Sequence, residues 1–172
     1  FTEGETKTIN YLRKEFETIG LEPGNKGSYF QEVPMVEITA RVDSNLYVSG
    51  GENPINLKFW KDFVALTRRV TDTVEIKNSE LVFAGYGIVA PEYNWNDYAG
   101  LDVKGKIVVV LVNDPGFGMD DPSFFKGNEM TYYGRWTYKY EEAARQGAEG
   151  LIIIHETAHA SYPFAVVQGG WS

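Results

Sequence analysis

The first apolar pattern along the chain is that of an amphipathic helix. Between residues 6 and 19, apolar side chains recur at spacings of three and four residues and therefore share one side of a helix. These side chains are Ile9, Leu12, Phe16 and Ile19. Gly20 follows and suits the left-handed backbone that ends a helix. The sequence predicts one amphipathic helix whose apolar side needs a packing partner.

The next part of the chain predicts strands. A strand is expected over residues 29–42, where Pro34 indicates a sheet edge or a bulge. Residues 43–80 are polar and rich in turn formers, which indicates short antiparallel strands joined by hairpins. Residues 81–90 predict a further strand, and two glycines within it indicate a bulge or a bend.

The second half of the chain predicts a strand–helix–strand unit. Residues 107–112 form an uninterrupted apolar run, typical of a strand covered on both faces. A loop rich in Gly and Pro follows, then a helix over 137–150 and a second buried strand over 151–154. Because such a connection makes its two strands parallel, the expected fold class is α/β, mostly β, with one parallel pair.

Composition narrows the possible partners and chemistry. The 172 residues carry a net charge of −8, which disfavours nucleic acid and anionic membrane surfaces as partners. No apolar run reaches the roughly 20 residues that a membrane span requires, so no span is expected. The chain has no cysteine, which excludes disulfides, thiolate zinc sites and thiol nucleophiles within it.

The segment His155–His159 reads HETAH and matches the HExxH pattern of zinc peptidases. That chemistry needs a helix, because only there do two histidines four residues apart face the same way. Here the segment follows a strand and soon meets Pro163, and none of the residues after His159 is Asp, Glu or His. We therefore expect His155, Glu156 and His159 to be solvated residues of a loop. A small HExxH metallopeptidase remains an alternative.

Two further patterns suggest ligands but have simpler interpretations. Residues 85–90 fit a G-x-G-x-x-A dinucleotide fingerprint, yet Pro91 follows where a helix should begin, so backbone geometry is the preferred explanation. Asp114, Asp120 and Asp121 share one loop and could hold a hard cation. A solvated acidic loop is the favoured interpretation.

An aromatic cluster surrounds Arg135. Its members are Tyr132, Tyr133, Trp136, Tyr138 and Tyr140. Tyr, Trp and Arg dominate interaction hot spots, so Tyr132, Tyr133, Arg135 and Trp136 form a candidate interaction surface. Core packing between helix and sheet explains the same residues equally well, and both interpretations stay open. A stand-alone peptide-binding module is a second alternative function.

Two long runs of sequence resemble the protease-associated domain. They are LVFAGYGIVAPEYNWNDYAGLDVKGKIVVVLVNDPGF and TYYGRWTYKYEEAARQGAEGLIIIHE. More narrowly, they resemble the version inserted in bacterial di-zinc aminopeptidases. The stretch YLRKEFETIGLEPGNKGSYFQEVPM resembles the first helix and strand of the peptidase domain. The resemblance thus implies that residues 1–42 begin the peptidase domain and that residues 43–172 are the protease-associated domain.

The resemblance also implies a fold and a function. It implies a β-sandwich or open barrel with a βαβ crossover and flanking helices. It implies a non-catalytic segment that shapes substrate access or protein interaction, because no position here matches the family's catalytic residues. Zinc would then belong to the parent enzyme, and the partners would be the missing peptidase domain and its peptide substrates. A periplasmic or secreted location and self-association through the N-terminal helix are further expectations.

Overall fold

The computed structural model describes residues 2–170 and divides into two compact units, Phe1–Thr39 and Ala40–Ser172. The first unit contains helix α1 (Glu3–Thr18). The second contains β1 (Asn45–Val48), β2 (Ile55–Lys58), β3 (Leu81–Phe83), β4 (Val89–Ala90), β5 (Trp95–Asn96), β6 (Ile107–Leu111), α2 (Trp136–Arg145), β7 (Gly150–Ile154), α3 (Thr157–Ala160) and α4 (Phe164–Gly169). Between residues 2 and 170, no helix is long and apolar enough to cross a membrane.

Helix α1 confirms the predicted amphipathic helix. The helix ends at Thr18, and Gly20 lies just beyond it with a φ of 80°. This left-handed residue lets the Leu21 N–H donate to Phe16 O at 3.0 Å. This Schellman-type ending satisfies carbonyls that the last turn would otherwise leave without a donor. No residue of α1 is buried, and Leu12 on its apolar side is 44% exposed.

The predicted strand over residues 29–42 is wrong. The chain there is irregular and exposed, with Val33 and Met35 each 67% exposed. A strand needs a neighbouring strand to complete its hydrogen bonds, and Pro34 removes one donor from this segment. Helices make up 25% and strands 17% of the chain, so the α/β class is confirmed while the strand content is lower than expected.

The predicted parallel strand–helix–strand unit is confirmed. Strands β3, β6 and β7 form a three-stranded parallel sheet with β6 in the centre, and α2 connects β6 to β7. Side chains at matching register positions share a face of the sheet. On one face, Val108 and Val110 of β6 are fully buried in the core. Burying each of these side chains contributes roughly 1.5–3 kcal/mol to folding.

The other face of this sheet is only partly covered. Val109 and Leu111 of β6 are half-buried there, and Phe83 of β3 is 58% exposed. On this face of β6 only Ile107 is buried, so the expectation of a strand covered on both faces holds in part. The expectation of a second buried strand over 151–154 is wrong, because β7 is half-buried and its Ile154 is 45% exposed.

The remaining strands form two short antiparallel pairs. Strands β1 and β2 form the hairpin that the polar, turn-rich sequence predicts, and β4 pairs with β5. The small sheets do not close into a barrel. Residues 59–80 form no ladder beyond an isolated bridge between Phe59 and Phe63.

The glycine bend after β3 has a clear steric cause. Gly85 and Gly87 both have positive φ angles, 52° and 64°. A Cβ at Gly87 would lie 2.6 Å from Cγ1 of Val110 in the core. The chain then enters β4 and a 3₁₀ turn at Pro91–Tyr93, and no helix begins at the glycines. The pattern therefore serves backbone geometry, as predicted.

We predict that Gly87→Ala destabilises the fold by about 3–4 kcal/mol, because it adds core overpacking to left-handed strain. Gly100→Ala is the matched control, since Gly100 has a φ of 76° but nothing within 4 Å of an added Cβ. It should cost only about 1–2 kcal/mol. Urea unfolding of the variants measures both, and equal losses would contradict the steric account.

Candidate interaction surface

The aromatic residues around Arg135 lie where a 3₁₀ turn, Tyr132–Gly134, leads into α2. Tyr132 is 53% exposed and Arg135 is also exposed, whereas Tyr133 and Trp136 are half-buried. The four predicted surface residues are thus neighbours at the start of α2, but the Trp136 ring lies 6.5 Å from the rings of His155 and Tyr162.

Two carboxylates accept hydrogen bonds from the tyrosines of this turn. The Tyr132 hydroxyl donates to Glu141 Oε2 at 3.0 Å, and the Tyr133 hydroxyl donates to Glu92 Oε1 at 2.6 Å. The bond to Glu92 raises the pKa of Tyr133 to about 12, and the same bond lowers the pKa of Glu92. We call Tyr132, Tyr133, Glu92 and Glu141 the acidic tyrosine surface.

The inner side of this surface belongs to the core. The Tyr133 ring packs edge-to-face on Tyr138 and Phe125, with centroids 4.9 and 5.9 Å apart. Phe125 is fully buried and stacks on Tyr93 at 4.1 Å. Core packing therefore explains Tyr138, which is buried. Tyr132 is exposed and remains a candidate for interaction.

A fully buried lysine supports the turn from beneath. Lys139 of α2 has no exposed surface, and its Nζ donates to Tyr86 O at 2.6 Å and to Tyr133 O at 3.3 Å. Burial lowers the pKa of Lys139 to about 7, although the charges of Asp97 and Asp114 act in the opposite direction. Above pH 7 the amine is therefore mostly neutral, and its two N–H donors match the two carbonyl acceptors.

Lys139 thereby joins two turns that are distant in sequence. Tyr86 lies in the glycine bend after β3, and Tyr133 lies in the turn before α2. Sequence reasoning missed this lysine. The signal was its spacing of four residues from Ala143, which places both on the buried side of α2.

The loop carboxylates act as local hydrogen-bond acceptors. Asp114 is fully buried and accepts hydrogen bonds from the Gly116 backbone N–H and from both the backbone and the hydroxyl of Thr131. Asp121 is exposed and accepts from Ser123 in its own turn. Within residues 2–170, no group of three His, Asp or Glu side chains is arranged to hold a metal ion.

The two histidines of HETAH lie in different aromatic surroundings. His155 follows β7 and packs on Tyr162 and Phe164, with ring centroids 5.6 and 5.8 Å apart. His159 lies in the one-turn helix α3, its ring 4.5 Å from Phe117. Its Nδ1 is 2.8 Å from Glu156 Oε2.

Of the three HETAH residues expected to be solvated, His155, Glu156 and His159, Glu156 alone is exposed. Both histidine rings are half-buried, and His155 precedes the helix that contains His159. The two rings do not share the helix face that HExxH chemistry requires.

We predict that stability rises between pH 7 and pH 9 because of Lys139. In this range the unfolded chain keeps the Lys139 proton, whose ordinary pKa is 10.5, while the folded chain releases it. Stability then increases with pH by roughly 1 kcal/mol per unit. Lys139→Met should remove this slope. The carbonyls of Tyr86 and Tyr133 would then lack their hydrogen-bond donor, which should lower stability at pH 9 by about 1–3 kcal/mol.

Urea unfolding at several pH values measures the slope. Lys104→Met is the control, because Lys104 is exposed and the variant loses the same charge. The series stops at pH 9 because tyrosines with raised pKa values, such as Tyr133, reverse the trend above pH 10. If the free energy of unfolding rises equally with pH in wild type and Lys139→Met, the lowered pKa of the buried Lys139 amine is contradicted.

Comparison with known proteins identifies the family of this fold. Residues 71–169 match the model of the PA domain, a range that includes the glycine bend, the acidic tyrosine surface and Lys139. No curated protein and no solved structure matches the chain. PA domains occur in protease-associated proteins, where they mediate substrate access or interaction. Because the match spans more than half of the chain, the chain belongs to the PA domain family.

Proposed function

We propose that this PA domain is the non-catalytic accessory part of a zinc-dependent aminopeptidase and holds peptides near the entrance to its active site. The observation that carries the proposal is the acidic tyrosine surface, where the exposed Tyr132 ring and the half-buried Tyr133 ring each donate a hydrogen bond to an exposed carboxylate. Its residues all lie within the range that matches the PA family.

The chemistry of this surface suits the amino end of a peptide. An aminopeptidase substrate carries an α-ammonium group, which can pair with the exposed carboxylate of Glu92 or Glu141. The Tyr132 ring, 53% exposed, can contact the first side chain or the cation itself. The net charge of −8 attracts cationic ligands over a longer range.

The first unit supports the peptidase context. The apolar side of α1 is open, with Ile9 and Phe16 each 41% exposed. We propose that the peptidase domain covers this side and supplies the zinc and the catalytic residues. Without that domain, the same side would favour self-association. We further propose a secreted or periplasmic location, in keeping with the occurrence of PA domains in secreted proteins.

The alternative functions differ in what they require. A stand-alone peptide-binding module would use the same acidic tyrosine surface without a peptidase domain. A small HExxH metallopeptidase would need His155 and His159 on one helix, whereas His155 precedes α3. No specific observation favours that alternative.

We predict that the chain binds the tripeptide Leu-Gly-Gly more tightly than its N-acetylated form, because acetylation removes the ammonium charge. Tyr132→Ala should weaken binding about fivefold or more, as expected for an exposed aromatic contact. Tyr47→Ala is the control, since Tyr47 of β1 is 71% exposed and lies outside this surface. Amide chemical shifts measured during a peptide titration give the affinities.

Equal binding of both peptides, unchanged by Tyr132→Ala, would contradict the proposed surface. Metal analysis and a peptide hydrolysis assay test the other part of the proposal. The isolated chain should contain no stoichiometric zinc and release no amino acid. One zinc per chain that is lost in His155→Ala would overturn the accessory role in favour of the HExxH alternative.

A further inference from the structure

The turn after β2 holds a bulky residue in a strained conformation. Trp60 has a φ of 70°, in the left-handed region that side chains with a Cβ rarely adopt. We call Lys58–Phe63 the Trp60 turn; it lies before the residues that match the PA family. Strain of this kind persists only where surrounding interactions hold it, and it often marks a functional position.

Several hydrogen bonds hold the Trp60 turn in place. The Trp60 N–H donates to Phe63 O at 2.8 Å, and the Asp62 N–H donates to Lys58 O at 2.8 Å. Asp62 Oδ2 accepts from the Lys58 N–H at 2.9 Å. The Gln168 side chain of α4 donates to Trp60 O, which ties the turn to a helix more than a hundred residues later. The turn is therefore rigid.

This turn presents an exposed indole that is flanked in the sequence by exposed lysines. Trp60 is 40% exposed and contacts the Phe59 ring edge-to-face at 6.1 Å. Lys58 and Lys61 on either side of it are both exposed. A rigid, exposed Trp loses little conformational entropy on binding, and Trp is among the commonest interaction hot spots.

The sequence segment that contains the turn is basic, whereas the chain as a whole is acidic. Residues 55–70 contain four basic residues, Lys58, Lys61, Arg68 and Arg69, and one acidic residue, Asp62. The segment thus has a net charge of +3, within a chain whose net charge is −8. A ligand of the acidic tyrosine surface would carry the wrong charge for this segment.

We propose that the Trp60 turn is a second interaction site, which binds an acidic polypeptide segment. The indole contacts an apolar side chain of that segment, and Lys58 and Lys61 pair with its Asp or Glu residues. A protein partner fits better than an anionic membrane, because basic clusters that bind anionic lipid usually carry about four to eight Lys or Arg residues, whereas the Trp60 turn has Lys58 and Lys61. This site is independent of the function proposed above.

A pair of peptides tests the charge requirement. The acidic probe is acetyl-Gly-Glu-Asp-Leu-Phe-Glu-Asp-Gly-amide, and the neutral probe replaces its Glu and Asp with Gln and Asn. The acidic probe should shift the indole N–H resonance of Trp60, assigned with Trp60→Phe, and the neutral probe should not. Replacing Lys58 and Lys61 together by Gln should weaken binding about tenfold. The control is Lys7→Gln with Lys14→Gln, two exposed lysines of α1.

Trp60→Gly separates binding from folding. Glycine adopts the left-handed conformation without strain, which offsets part of the packing lost with the indole, so this variant should stay folded by circular dichroism while its affinity for the acidic probe falls at least tenfold. Unchanged affinity in Trp60→Gly, or equal affinity for the two probes, would overturn the proposal. Binding to phosphatidylglycerol vesicles in preference to the acidic probe would also overturn it and identify a membrane site.

Discussion

The buried amine of Lys139 is a side-chain interaction that joins the two turns beneath the candidate surface. The parallel sheet also reaches these turns through backbone bonds, from Leu111 N–H to Gly85 O at 2.9 Å and from Asn113 N–H to Gly134 O at 3.2 Å. Lys139 bridges these two turns through the carbonyls of Tyr86 and Tyr133. Because a buried carbonyl without a donor is costly, this bridge favours a single arrangement of the turns. The position of Tyr132 and Tyr133, and with it any peptide recognition there, follows from that arrangement.

Acidic and basic side chains lie on two different surfaces of the molecule, the acidic tyrosine surface and the Trp60 turn. The acidic tyrosine surface lies within the matched PA domain and suits a cationic peptide end. The Trp60 turn lies outside the matched range and carries the opposite charge. The two proposals therefore concern surfaces of opposite charge, one for a cationic peptide end and one for an acidic polypeptide segment. The first agrees with a family whose members mediate substrate access or interaction.

Local patterns in the sequence predict much of this fold. Apolar periodicity predicts α1, and the apolar runs on either side of α2 predict the parallel pair β6 and β7. The irregular structure of residues 29–42 could not be predicted from local preference. Strand formation depends on a partner strand, and local preference does not show whether one is present. Surface and core could not be distinguished among the tyrosines for a similar reason. Burial of Tyr138 and exposure of Tyr132 depend on how α2 packs against the sheet. The bridge made by Lys139 is also a long-range property, since its acceptor Tyr86 lies 53 residues away.

Amide hydrogen exchange in Lys139→Met tests the role of this lysine most directly. The informative amides are those of Gly87, Gly134 and Arg135, which donate within the two turns. If Lys139 holds the turns together, these amides should exchange at least tenfold faster in the variant, while amides of the β1–β2 hairpin keep their wild-type rates. Unchanged rates in the two turns, or an equal increase throughout the chain, would contradict the account.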